Sequence, residues 1–101
     1  MSTTLERELP LAAIHDFCKR YPIRELALFG SALREDFRVD SDIDLLVEFE
    51  LHAPVGMLTL ARMQRELCQL LQRRVDLVPK AGLKPLIRDE VLRTAHVLYS
   101  H

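Results

Sequence analysis

A chain of 101 residues, 49% hydrophobic and 29% charged, has room for one domain with one core, and this composition excludes disordered and fibrous classes. Fourteen Lys and Arg stand against fifteen Asp and Glu, so no general field draws the chain to nucleic acid or to an anionic membrane. No apolar run nears the roughly 20 residues of a membrane span, and residues 1–8 lack the basic-then-apolar order of a signal peptide, so a cytoplasmic protein is expected.

Pro10 suits the first turn of a helix, and Leu11, Ile14, Phe17, Cys18 and Tyr21 follow a 3.6-residue period. A helix is predicted over residues 10–20, ended by Pro22. Residues 24–29 form a short apolar run between Pro and Gly, as expected of a buried strand. Residues 31–36 read as a short helix and 37–41 as a polar loop. From 43 to 49 the pattern alternates strictly: Ile43, Leu45, Val47 and Phe49 take one face, and Asp42, Asp44, Leu46 and Glu48 the other. Residues two apart on a strand rise together, about 6.6 Å apart, so Asp42 and Asp44 project side by side.

After a loop with Pro54 and Gly56, Leu60, Met63, Leu67 and Leu71 mark the buried stripe of a helix over 57–72. Residues 75–78 read as a third strand closed by Pro79. Leu86, Ile87, Val91, Leu92 and Ala95 predict a last helix over 85–94, and 97–99 a short edge strand. Cys18 and Cys68 lack metal or redox spacing and read as reduced core thiols. His15, His52, His96 and His101 show no ligand spacing and are expected at or near the surface.

The chemistry gathers around two short motifs. At a strand-to-helix turn, the glycine of Gly30-Ser31 lets a phosphate approach the backbone, while helix amides and a hydroxyl donate to it; alone, the pair also reads as an ordinary turn and cap. Asp42 and Asp44 offer the hard oxygen ligands that Mg²⁺ takes, or else are solvated surface carboxylates. Asp76 stands among Val75, Leu77 and Val78, where a lone charge is costly; it reads as a third ligand, or as a partner of Arg73, Arg74 or Lys80.

Gly30-Ser31, ten intervening residues and Asp42-x-Asp44, with the flanks 28–34 and 40–47, together resemble the minimal nucleotidyltransferases (MNT proteins) of the DNA polymerase β-like superfamily. Members are usually encoded beside a HEPN-domain protein. The resemblance covers nearly the whole chain and implies a single domain over 1–101 with an α/β (α+β) fold, a small mixed β-sheet flanked by helices. It implies Asp42 and Asp44 as ligands of Mg²⁺, two ions in all, with Asp76 as a third carboxylate serving a metal or the nucleophile. Gly30 and Ser31 would hold the triphosphate of ATP, and Arg34 would contact phosphate. The implied activity is that of an antitoxin transferring AMP from ATP to a tyrosine of a HEPN ribonuclease toxin. Two alternatives stay open: an antitoxin acting by binding alone, and a small-molecule nucleotidyltransferase. The loop 52–56 and the closing segment are the candidate partner contacts; no direct nucleic-acid contact is expected.

Overall fold

The computed structural model describes residues 9–30 and 42–101. The expected helix 31–36 and loop 37–41 lie outside these residues. Pro10 caps α1 (Leu11–Arg20), which buries Ile14, Phe17 and Cys18 and carries Lys19 and Arg20 in its last turn, where they complement the negative helix end. Tyr21 is already extended, and Pro22 forbids another helical turn. Strands β1 (Ile23–Phe29) and β2 (Ile43–Phe49) follow, then α2 (Met57–Leu71), β3 (Val75–Pro79), a 3₁₀ turn (Lys80–Gly82), α3 (Pro85–Thr94) and β4 (His96–Ser100). Gln72 ends α2 in the left-handed conformation, its N–H returning to the Cys68 carbonyl.

The sheet order is β3-β2-β1-β4. β1 pairs antiparallel with β2 and β4, whereas β2 and β3 run parallel because α2 carries the chain back between them. This is the mixed sheet that the family resemblance implies. Its first face is sealed by α1 and α2: Leu26, Leu28, Ile43, Leu45, Val47, Val75 and Leu77 pack with Ile14, Phe17, Met63 and Leu67 in the larger core. The second face is narrower. Ala27, Phe29 and Leu46 meet Leu83 and Val91, with Val78 and Ala95 against them.

Because β1, β2 and β3 are in register, the second face consists of rows across the sheet. Phe29, Asp44 and Asp76 form the row at one end; Ala27, Leu46 and Val78 form the middle row; Glu25 and Glu48 stand opposite each other at the far end. Only the middle row is apolar throughout, which explains how α3 departs from its predicted stripe. Val91 is buried, but Leu86 is 98% exposed and Ile87 and Leu92 are partly so. The helix is where the sequence places it; its apolar surface is wider than the strip of sheet available to cover.

The outer edge of β3 is not left bare. The Leu77 N–H donates to Gln64 Oε1 at 3.0 Å and the Val75 N–H to Cys68 Sγ at 3.3 Å, so side chains of α2 cap the exposed ladder groups. At the opposite edge, the His15 ring meets the Leu98 carbonyl at 2.9 Å and packs edge-on to Tyr99, tying β4 to α1. Among the described residues no helix is long and apolar enough to cross a membrane.

Candidate active site

The acidic row lies where β1 ends and where β2 and β3 begin, so three chain segments deliver their polar ends to one place. Gly30 leaves β1 with φ +67°, a backbone state that side chains rarely adopt. It is required for a second reason. A Cβ at this position would stand 2.7 Å from Asp44 Oδ2, so the carboxylate of β2 occupies the space a side chain would need. The two halves of the sequence motif are therefore in direct contact across the β1–β2 pair.

Asp44 is half-buried, with its neighbours in the row fixed by the ladder: Phe29 on β1 and Asp76 on β3. Asp42 lies just before β2 and is 54% exposed. Asp76 requires a correction to the sequence reading. It is exposed, not forced into an apolar setting, because Val75 and Leu77 take the first face toward α2 and leave Asp76 on the open one. The burial argument for a ligand role thus does not hold, but the alternation that exposes Asp76 also sets it beside Asp44. Two of its three expected basic partners turn elsewhere: Arg74 pairs with Asp42 at 3.1 Å, and Lys80 with Glu48 at 3.3 Å. Ser31 and Arg34 lie outside the described residues.

Asp42, Asp44 and Asp76 each offer the hard, anionic oxygens that Mg²⁺ accepts. No three acidic, histidine or thiol groups among the described residues are gathered closely enough to hold a metal unaided. Such an open set still suits Mg²⁺, which keeps several waters and takes substrate phosphates as ligands in place of a protein cage. The Gly30 turn brings no side chain of its own, and the Asp44 carboxylate stands where its Cβ would be.

Three positions that matter to this geometry have little sequence signal. Gln64 and Cys68 clamp the strand that carries Asp76, and Arg74 sits on Asp42. Cys68 reads in sequence as an ordinary core thiol, although its i+4 spacing from Gln64 on a helix preceding an edge strand could have suggested a shared face.

Comparison with known proteins agrees with the geometry. Residues 12–97 match the family model of the nucleotidyltransferase domain. The protein adenylyltransferase MntA of Thermococcus cleftensis is 39% identical over 92 residues, covering 89% of this chain and 91% of that protein. A solved structure described as a minimal nucleotidyltransferase is 40% identical, with a TM-score of 0.72 over 91% of this chain and 90% of that one. The MNT antitoxin complex with a tri-AMPylated HEPN toxin from Shewanella oneidensis has a similar chain, at TM-score 0.67 and 19% identity over 90% of this chain and 70% of that one; at that identity it speaks for the fold alone. With a mixed sheet that sets the Asp44 carboxylate against the Gly30 turn, and with these relatives, the chain belongs to the nucleotidyltransferase-domain family and has the fold of the minimal nucleotidyltransferases.

Proposed function

We propose that this protein is a cytoplasmic, single-domain protein adenylyltransferase that moves AMP from ATP to a tyrosine of a HEPN ribonuclease toxin and so silences it. The observation that carries the reading is the Gly30–Asp44 contact. It joins a phosphate-accepting turn to a carboxylate with no room for a side chain between them. The likeness to MntA over most of both chains supports adenylyl transfer; the HEPN acceptor is proposed by analogy with the Shewanella complex, whose antitoxin shares the fold and whose HEPN toxin is AMPylated.

In this reading Asp42 and Asp44 hold Mg²⁺, and Asp76 completes the set from the neighbouring strand. Gly30 and Ser31 receive the triphosphate, and Arg34 contacts it. Bound Mg²⁺ would neutralise phosphate charge and favour the ionised form of the attacking hydroxyl. The tyrosine hydroxyl gives its proton to water, its oxygen attacks the α-phosphorus, the bond from that phosphorus to the bridging oxygen breaks, and pyrophosphate departs with the displaced electron pair. The protein's own share is positioning, since a phosphoryl-type transfer gains most from alignment and charge complementarity. An exposed acidic row is suited to an acceptor that brings its own surface. Leu51, Met57 and Leu58, at 81%, 89% and 87% exposure, flank the loop 52–56 and offer an apolar contact for that partner.

The test is intact-mass analysis of the proposed HEPN acceptor after incubation with this protein, ATP and Mg²⁺. One or more adenylyl increments on a tyrosine are expected. Inhibition of the ribonuclease without ATP and without any mass change would instead favour the antitoxin that acts by binding alone. Transfer to a small molecule with no protein present would favour the other alternative.

A further inference from the structure

Arg74 has no part in the mechanism above, yet it is tied twice to the start of β2, next to Asp44. Its carbonyl accepts the Ile43 N–H at 2.9 Å, which fixes residue 74 beside the start of β2. Its Nε lies 3.1 Å from Asp42 Oδ1. The Arg74 side chain is 83% exposed, so water screens the pair and places it among ion pairs that shift an equilibrium by less than about tenfold. A contact this weak holds a carboxylate in place without locking it.

We propose that Arg74 is a resident counter-cation of Asp42 that surrenders the carboxylate to the metal and takes phosphate oxygens of the incoming nucleotide in exchange. The proposal rests on the reading of Asp42 as a metal ligand. Its logic is electrostatic. Asp44 and Asp76 stand side by side across β2 and β3, and Asp42 lies just before β2 at the same end of the sheet, so like charges there repel one another. A guanidinium on Asp42 offsets part of that repulsion. Once a divalent ion takes over this role, the guanidinium is surplus at the carboxylate, while the triphosphate brings new negative charge to the same end of the sheet. A planar fork of N–H donors suits phosphate as well as carboxylate, and a solvated side chain changes partner with little desolvation cost. Arg74 is thus a positioning residue that links metal loading to nucleotide capture.

The experiment measures two affinities on wild type, R74A, R74K and D42N, each verified as folded by circular dichroism: Mn²⁺ alone by electron paramagnetic resonance, and AMP-PNP with Mg²⁺ by calorimetry. Removing the competing cation should tighten Mn²⁺ binding to R74A about two- to fivefold. The same variant should bind AMP-PNP about three- to tenfold more weakly, because a charge-assisted phosphate contact is gone. R74K should keep Mn²⁺ affinity near wild type and recover part of the nucleotide affinity. Opposite signs in the two arms are the signature, since a merely structural arginine would move both in one direction or neither. Unchanged or weaker Mn²⁺ binding to R74A, or unchanged AMP-PNP binding, overturns the exchange. D42N separates the two levels: if it too leaves Mn²⁺ affinity unchanged, the ligand reading of Asp42 fails, whereas weakened Mn²⁺ binding in D42N with no gain in R74A removes only the role of Arg74.

Discussion

The two faces of the sheet are made by the same strands and have opposite characters. The first is apolar along each of β1, β2 and β3 and is closed by α1 and α2; the second has one apolar row between two acidic ones, and α3 covers only that row. Strand alternation forces this outcome, since each residue that seals the first face obliges its neighbours to face the other way. The closed face carries the stability, and it leaves the open face free to hold charges that a core could not tolerate. Asp44 shows the division at close range: Ile43 and Leu45 on either side of it are fully buried, while its carboxylate reaches the Gly30 turn.

Substitutions that respect this division should separate activity from stability. The largest effect is expected for Gly30→Ala. The added methyl meets Asp44 Oδ2 and the backbone is strained at positive φ, so nucleotidyl transfer should fall about 100-fold or more while circular dichroism still reports a folded chain. Loss of transfer no greater than the loss of folded protein would break the comparison. Next, Leu45→Ala and Leu46→Ala remove the same atoms from opposite faces. Leu45, fully buried in the larger core, should cost about 3–5 kcal/mol in denaturant melts, and Leu46, in the smaller cluster, about 2 kcal/mol. Equal costs would mean that α3 seals its face as well as α1 and α2 seal theirs.

A smaller effect is expected at the clamp on β3. Gln64→Ala leaves the Leu77 N–H without its side-chain acceptor and should cost about 1 kcal/mol, with faster hydrogen exchange at that amide. The smallest effect concerns Cys18, whose burial in the closed face pushes its thiol from an ordinary 9.0 up to about 12. The folded state binds this proton more tightly than the unfolded state does. The stability contributed here is therefore complete below pH 9 and is lost as the pH climbs toward about 12. At pH 8 alkylation of Cys18 should proceed only as fast as the protein opens, whereas the half-buried Cys68 reacts sooner.

Most of the scaffold was legible in the sequence because its signals are local. Pro10 and Pro22 bracket α1, the 43–49 alternation assigns the faces of β2, and the stripe Leu60, Met63, Leu67, Leu71 gives the inner face of α2. The last apolar stripe misled, since periodicity reports a helix's apolar surface without revealing how much sheet awaits it; Leu86 is the clearest case. At the site, spacing was enough to associate Gly30 with Asp42 and Asp44. The reason Gly30 must be glycine depends on the β1–β2 register, which no local pattern encodes. Asp76 was singled out for its apolar flanks, but its place beside Asp44 comes from the parallel pairing of β2 and β3. The choice of Arg74 for Asp42 over Asp76 is likewise a tertiary fact.

The central claim is that the open acidic face performs nucleotidyl transfer. Its most direct test is transfer of labelled AMP from α-phosphate-labelled ATP to the proposed HEPN partner by wild type and by Asp44→Asn, at equal concentrations of folded protein. The account predicts labelled partner with the wild type and a loss of about 1,000-fold or more with the variant, whose melting temperature stays within a few degrees. Labelling by Asp44→Asn at the wild-type rate would contradict it.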